Sequence, residues 1–453
     1  MRQAMGDEIR NPERYFRLSA DCFLVEGAHD AALYDVFGKR LFLLDEESHR
    51  LLRQCEENVQ LDWEYLPKRT VELLQWMQTE GLGFAEEAPA FIDRFMTHCP
   101  VTLRGIVQKP PDFRQLDLSI SSECGNGCPF CPATGEDEQW QTCITCLRGT
   151  ETGRRARPLD DATRLVEEAA ELGFTRIHLR GGDPLREWDW VQTALRAVER
   201  QENLLMLVTT PGTSRSLDET VQLGAHPRVY LNVVLINPGA AEGAQRVPLD
   251  LLHALKRERI GFSVTALLSE ASGATAKSVE GWAAETLGRK PRFAAIRRGG
   301  AASPGAYFPE QNPSGRMLSR WRDADDFFSR IKRCTCLHGR VQLNSDGSVQ
   351  PCQGIGLKYG TWQQGGLAEG LRNEAVYDWW ERDKNSSSAC RQCAVRYACM
   401  ECAAVVFGDS TKRFCSFDPN GEKRAAEYPW QHDGFVYRIK TTRKEGDALC
   451  QRV

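Results

Sequence analysis

The sequence has no apolar run near the roughly 18 residues that would span a bilayer. Its first residues, MRQAMGDEIRNPERYF, are charged throughout and hold none of the apolar stretch of a secretory signal. Export and membrane insertion are therefore not expected, and a cytoplasmic location is. Charge of one sign is missing too: 58 Lys and Arg face 62 Asp and Glu, a net charge of −4. A chain balanced in this way is not built to hold nucleic acid by bulk charge. Internal repeats and low-complexity tracts are absent. With 41% apolar and 26% charged residues the chain can build cores, and 453 residues predict about three domains.

What the chain does have is cysteine, 17 in all. Thiols of a non-exported protein stay reduced, so clustered cysteines there point to metal more than to disulfides. Cys124, Cys128 and Cys131 form one group and Cys143 and Cys146 a pair, while eight more fall between Cys334 and Cys415. Cys22, Cys55, Cys99 and Cys450 stand alone and read as buried free thiols.

Residues 14–92 read as a small α+β module. Apolar stretches at Phe23–Val25 and Ala32–Val36 precede a turn at Phe37-Gly38-Lys39-Arg40 and a strand Leu41–Leu44, which predicts a hairpin. Asp45 is placed to cap a helix over Glu46–Glu56, and a second helix fits Thr70–Thr79, ending before Gly81. Residues 93–112 read as a linker. From residue 113 the pattern becomes strands alternating with helices. Leu116, Leu118 and Ile120 alternate with Asp117 and Ser119, the period of a strand. A helix Asp161–Leu172 stopped by Gly173 follows, then a strand Thr175–Leu179, a helix Trp188–Arg200 and a strand Leu204–Thr209. A strand Val229–Ile236, a helix Leu251–Glu258 and a strand Phe262–Leu268 complete the series. Repeated βα units predict a parallel sheet, open or closed. Beyond residue 330 periodicity fades as Cys and Gly rise.

Cys124-Gly-Asn-Gly-Cys128-Pro-Phe-Cys131 follows directly on the first of these strands, which brings three thiolates to the C-terminal sheet edge where α/β proteins keep their active sites. A four-iron cubane normally takes four thiolates, so three would leave one iron open. A structural zinc would ask for four closed ligands.

This CxxxCxxC, with an aromatic before its last cysteine, resembles the radical S-adenosylmethionine (SAM) superfamily. Gly181-Gly182-Asp183-Pro184, just after the second strand, is similar to the family's glycine-rich segment that holds the methionine amino group of SAM, with Asp183 where Glu is usual. The resemblance implies further SAM contacts at Phe130 (adenine), Asn232 (ribose), Arg298 ahead of Gly299-Gly300 (carboxylate) and the strand end Thr209-Thr210 with Gly212.

Eight C-terminal cysteines would fill two four-iron clusters or two zinc ribbons. Their order is Cys334-x-Cys336-x10-Gly347-x4-Cys352, then Cys390-x2-Cys393-x5-Cys399-x2-Cys402, then Cys415. Beside the first motif this resembles the SPASM domain, which ends CxxC-x5-C-x3-C where this chain has a last gap of two. The resemblance implies one auxiliary cluster on Cys336, Cys352 and Cys402 with Cys334 as fourth ligand, and another on Cys390, Cys393, Cys399 and Cys415. Without Cys334 the first of these keeps an open iron. Cys143-Ile-Thr-Cys146 sits in a long polar connection and reads as a dithiol, half a metal site, a substrate contact or two solvent-facing thiols.

The N-terminal module resembles the peptide-recognition element of enzymes that mature ribosomally made peptides, a winged-helix-like fold that takes a leader as an added strand. Here the receiving edge would be Leu41–Leu44. The resemblance thus implies a partial (β/α)6 TIM-like radical SAM barrel over 113–310, a winged-helix-like α+β recognition domain over 14–92, a cysteine-rich SPASM domain over 330–420 and a tail over 421–453. It implies SAM and three [4Fe–4S] clusters as cofactors. The partners would be a precursor peptide and an external one-electron reductant, with no nucleic acid and no membrane. The implied reaction splits SAM to a 5′-deoxyadenosyl radical that takes hydrogen from the peptide, after which an auxiliary cluster accepts an electron; a thioether cross-link is favoured over a carbon–carbon one. No catalytic side chain beyond the cluster ligands stands out. The rival readings are a maturase that oxidises a residue of a folded protein, as sulfatase-maturating enzymes do, a non-catalytic iron–sulfur partner that binds peptide, and a zinc-ribbon scaffold.

Overall fold

The computed structural model describes residues 13–28, 30–92, 113–121, 124, 139–142, 157–238, 247–267, 276–293, 296–299, 306–307, 321, 323–352, 355, 357–362, 366–388, 390–399, 403, 407, 430–432 and 436–439. The N-terminal part runs β1 (Glu13–Leu18), β2 (Cys22–Glu26), β3 (Ala31–Asp35), β4 (Arg40–Leu44), α1 (Glu46–Glu56), β5 (Leu61–Asp62), α2 (Lys68–Thr79) and β6 (Gly83–Glu86). The turn between β3 and β4 closes because Lys39 takes a positive φ of 55° and the Asp35 carboxylate accepts from the Gly38 amide at 2.8 Å. Asp45 caps α1 by accepting from Ser48 N at 2.8 Å, which satisfies an amide that has no partner within the helix. Helices α1 and α2 bury Leu51, Leu52, Leu73, Leu74 and Met77 against Phe16, Leu18, Leu33 and Phe42. Strand β1, which the sequence reading did not anticipate, pairs antiparallel with β5 and β6.

The central part runs β7 (Gln115–Ser119), β8 (Gln139–Thr142), α3 (Asp160–Glu171), β9 (Arg176–Arg180), α4 (Trp188–Glu199), β10 (Leu205–Thr210), α5 (Leu217–Gly224), β11 (Val229–Ile236), α6 (Leu249–Arg257), β12 (Phe262–Leu267), α7 (Ala276–Leu287) and β13 (Arg292–Phe293). There follow β14 (Ile296–Gly299), β15 (Ala306–Tyr307), α8 (Ala324–Lys332), β16 (Arg340–Leu343), β17 (Ser348–Gln350), β18 (Gly360–Thr361), α9 (Gly366–Leu371), α10 (Glu374–Glu381), β19 (Trp430–His432) and β20 (Val436–Ile439). The main sheet has the order β13-β12-β11-β10-β9-β7-β16-β17-β18. Its strands are parallel from β13 through β16, and the β16–β17–β18 pairings are antiparallel. Strands β7 and β9 to β13 are thus six consecutive parallel neighbours joined by helices, and β16 extends them on the far side of β7.

One face of this sheet is apolar and the other polar. Leu116, Leu118, Ile177, Leu179, Met206, Val208, Leu231, Val233, Val341 and Leu343 join the helices in one core. That core continues through Val349, Tyr359, Trp362, Leu371, Val376 and Trp380, so the segment after residue 330 is built on a large apolar core as well as on its cysteines. Strands β8, β14 and β15 form a separate sheet in which Arg298 opposes Trp140, so Arg298 lies off the main sheet. The third grouping joins the ends of the chain: β20 pairs antiparallel with β4 to give the order β19-β20-β4-β3-β2.

Candidate active site

The polar face is the inner side of the parallel array. Asp117 sits beside His178 on β9 and Gln342 on β16 in the strand register. His178 Nδ1 meets Asp117 Oδ1 at 2.8 Å, and His178 Nε2 meets the Thr209 hydroxyl at 2.7 Å. Asn232 Nδ2 donates to Thr209 Oγ1 at 3.2 Å, while Asn232 Oδ1 accepts from Ser263 and Thr265, each at 2.9 Å. The ionised Asp117 carboxylate can only accept, which sets the direction of the chain: His178 donates to it, His178 Nε2 accepts the Thr209 O–H, and Thr209 Oγ1 accepts the Asn232 N–H. His178 then carries its proton on Nδ1, facing Asp117. The far end is cationic: Arg340 donates to Asp117 Oδ2 at 2.9 Å, and Arg180 Nη2 lies 3.7 Å from the same oxygen. All of these side chains except Ser263 and Arg340 are buried.

Burial alone would raise the Asp117 carboxyl, but Arg180, Arg340 and the His178 bond hold it well below the usual carboxylate range. Burial lowers His178 below the ordinary imidazole value against the opposing pull of Asp117. An ionised Asp117 and a neutral His178 are the result. Sequence reasoning missed Gln115, Asp117, His178, Arg180, Arg340 and Gln342 as a set. Their signal was the alternation itself, which places polar residues at every second position of β7, β9 and β16.

At the C-terminal ends of the strands, Cys124 lies just past β7 and is half-buried. Next to this edge, Gly181 has φ 94° and Gly182 φ 50°. A Cβ on Gly181 would come 2.5 Å from Ser119 Oγ and 2.8 Å from the Ser121 carbonyl, so the backbone passes where only glycine fits. Asp183 is fully buried. Its Oδ1 accepts from Thr210 Oγ1 at 2.7 Å and from Leu185 N at 3.2 Å. Its Oδ2 is buried and has no hydrogen-bond partner among the described residues. Burial pushes this carboxyl up, and hydrogen bonding from the Ser214 and Thr210 hydroxyls and the Leu185 amide opposes the shift. A carboxylate oxygen left open beside a glycine cradle suits a ligand ammonium group, the chemistry of the methionine end of SAM. Pro184 opens a short 3-10 turn after this segment. Thr209 and Asn232 are tied into the inner network just described.

Among the C-terminal cysteines, Cys334 is buried in the core of the main sheet, and Cys336 and Cys352 pack against that same core. Cys393 belongs to a different cluster, with Tyr34, Trp321, Phe327 and Tyr397. Cys390 and Cys399 are half-buried. Arg340, besides its bond to Asp117, donates to the Cys336 carbonyl at 3.3 Å, which joins the inner network to the first of these cysteine groups. Cys128, Phe130, Cys131, Cys143, Cys146, Cys402 and Cys415 lie outside the described residues, as does the side chain of Arg298. No helix among the described residues is long and apolar enough to cross a membrane.

Known proteins match this arrangement in part. The PqqA peptide cyclase of Gluconobacter oxydans (strain 621H) is 33% identical over 97 residues, 21% of this chain and 24% of that protein, so the match spans about a quarter of the relative's length. Among solved structures, SuiB of Streptococcus suis bound to S-adenosylmethionine superposes with a TM-score of 0.47 at 14% identity, covering 91% of this chain and 99% of that one. Native anSMEcpe with bound AdoMet gives 0.45 at 13% identity, over 63% of this chain and 88% of that one. Residues 118–240, which include Cys124, the Gly181–Pro184 segment and Asn232, match the family described as the Radical SAM superfamily, and this part of the chain is a radical SAM domain.

Proposed function

We propose that this protein is a radical SAM maturase that oxidatively cross-links a ribosomally made precursor peptide, with a thioether favoured and a carbon–carbon bond the alternative. The observation that carries the reading is the buried Asp183 with one carboxylate oxygen open, set beside the Gly181–Gly182 cradle at the strand ends next to Cys124. Cys124, Cys128 and Cys131 would hold a four-iron cluster, which together with bound SAM would supply a 5′-deoxyadenosyl radical. The protein's own residues bind and orient. Asp183 holds the ammonium end, Thr210 aims Asp183, and Gly181 lets the backbone approach. The neutral His178, fixed between Asp117 and Thr209, keeps the inner face ordered and free of mobile charge. Phe130, Asn232, Thr209 and Arg298 remain the further residues assigned to SAM.

Two auxiliary [4Fe–4S] clusters complete the proposal, on Cys334, Cys336, Cys352 and Cys402 and on Cys390, Cys393, Cys399 and Cys415, in a SPASM domain over 330–420. The separate packing of Cys334, Cys336 and Cys352 from that of Cys393 supports two sites rather than one. In this reading residues 14–92 are the winged-helix-like recognition element for the peptide, electrons come from an external one-electron reductant, and the protein works in the cytoplasm. The similarity of part of the chain to a peptide cyclase supports a peptide as substrate.

An anaerobic assay of reconstituted protein tests this: iron per chain, and 5′-deoxyadenosine formed from SAM with dithionite. Three cubanes require about twelve irons. Cleavage that is lost in Cys124→Ala is the expected result. Zinc in place of iron, or clusters with no cleavage, would overturn the reading and leave a scaffold or binding protein.

A further inference from the structure

The sheet formed by β2, β3 and β4 is closed on nearly every side. One face packs on α1 and α2 through Leu33, Phe42 and Leu44. The other packs, through Ala32, Tyr34, Leu41 and Leu43, on Trp321, Phe327, Phe328 and Tyr397. Beyond its β2 end, Ala28 N donates to the Gln392 carbonyl at 2.8 Å and Arg396 donates to the Glu26 carbonyl at 2.8 Å. A Cβ on Gly27 would lie 2.8 Å from Ala394 N, so no strand fits between them. Contacts with residues 392–396 thus cover the end of β2 at Glu26–Ala28, and on the other side of the three strands the chain's own β20 lies along β4. Val436 opposes Leu44, Tyr437 opposes Leu43 and Arg438 opposes Phe42.

We infer that the paired strands β19 and β20 are an internal stand-in for a substrate peptide: β20 fills the strand-addition edge of β4, and an extended peptide segment binds by displacing it. The inference rests on the reading of residues 14–92 as a peptide-recognition element. Strand addition is made by backbone hydrogen bonds, so one extended segment can replace another there, with side chains at alternate positions setting preference. A covered edge also protects β4 from pairing with other chains. The resident strand is short: it matches β4 over three residue pairs, whereas β3 matches β4 over five. A tethered competitor lowers the apparent affinity of an incoming peptide by the fraction of time the edge is free, and a three-pair ladder can open.

The test is hydrogen exchange of the β4 amides in reconstituted full-length protein and in a chain ending at Asn420. The probe is a synthetic peptide with the sequence of residues 428–441. Tyr437→Pro with Arg438→Pro in the full-length chain is a second variant, in case the shortened chain does not fold; iron content and circular dichroism equal to the parent show that a variant is folded. We expect β4 exchange to quicken about tenfold or more in either variant. The added peptide should restore slow exchange, and it should bind the full-length protein about tenfold more weakly than the variants. Unchanged β4 exchange would overturn the inference while leaving the recognition reading in place. A β4 that is exposed in the variants yet takes no peptide would overturn both.

Discussion

The Asp183 carboxylate and the Thr210 hydroxyl meet at 2.7 Å between the end of β9 and the end of β10. This bond fixes one oxygen of a fully buried acid and leaves the other without a partner among the described residues. Charge-assisted hydrogen bonds of this kind are worth about 1.5–3 kcal/mol. Thr210→Val should therefore weaken SAM binding about tenfold or more by freeing the carboxylate to rotate. Asp183→Asn, which also removes the charge that meets an ammonium, should weaken it further. Equilibrium dialysis of SAM against reconstituted protein measures both, and unchanged affinity in Asp183→Asn would remove that residue from the site.

Gly181 offers an independent check on the same cradle. With φ at 94° and a backbone carbonyl 2.8 Å from where a Cβ would sit, Gly181→Ala has to move the strand end that faces Ser121. The expected outcome is loss of 5′-deoxyadenosine formation, with retained iron content showing that the variant is folded. An active Gly181→Ala protein would show that the backbone approach is not needed.

The parts legible from sequence were those whose signals are local. The alternation in β7 and the Asp45 cap of α1 appear at the expected positions because a two-residue period and a single side-chain acceptor suffice to define them. Helix α5 carried a legible sign that went unread: Ser216 and Glu219 form a reciprocal capping box. The additions of β16 to β7 and of β20 to β4 were not legible. These are strands of four residues whose pairing partners lie hundreds of positions away, as Arg340 opposite Gln115 and Tyr437 opposite Leu43 illustrate. Nothing in a four-residue strand names its neighbour. The inner polar network was missed for a related reason, since Asp117, His178, Arg180 and Gln342 each look ordinary until three neighbouring strands set them side by side.

That network makes stability depend on pH. His178 has a folded pKa below the ordinary imidazole value of about 6.5 because burial disfavours its cation. The unfolded chain therefore binds this proton more readily. The contribution is fully present above about pH 6.5 and is lost as pH falls from there toward the folded pKa, by up to about 1.4 kcal/mol per pH unit. Thermal unfolding followed between about pH 5.5 and 7.5 should show a falling Tm on the acid side, and His178→Gln should flatten that slope. Equal slopes in the two proteins would mean that His178 is not held neutral.

The Tyr34 hydroxyl donates to the Ala394 carbonyl at 2.9 Å, and its ring packs among Trp321, Phe327 and Tyr397. This contact fastens the N-terminal sheet to the segment holding Cys393. Tyr34→Phe keeps the ring and strands a buried carbonyl, for a cost of about 1–3 kcal/mol. Its effect should appear as a lower Tm together with faster proteolysis in the 321–399 region. A shift confined to residues 14–92 would show that the two parts unfold separately.

Iron analysis of single cysteine variants separates the two proposed auxiliary sites. Cys336 packs on the core of the main sheet and is linked through its carbonyl to Arg340 and so to Asp117, whereas Cys393 lies with Tyr34 in the other cluster. If each serves a different four-iron cluster, Cys336→Ser and Cys393→Ser should each lower iron from about twelve to about eight per chain, and the double variant to about four. A shared site would instead give the same loss in the double variant as in either single one. Cys334 decides the coordination of the cluster proposed for Cys336. It is fully buried, and its backbone amide is bonded to the Arg382 carbonyl at 2.7 Å, which fixes the main chain there. As a ligand it should cost the same iron as Cys336 when changed to serine. Iron that stays near twelve in Cys334→Ser would mean a cluster held by three thiolates, with one iron open to a substrate thiolate.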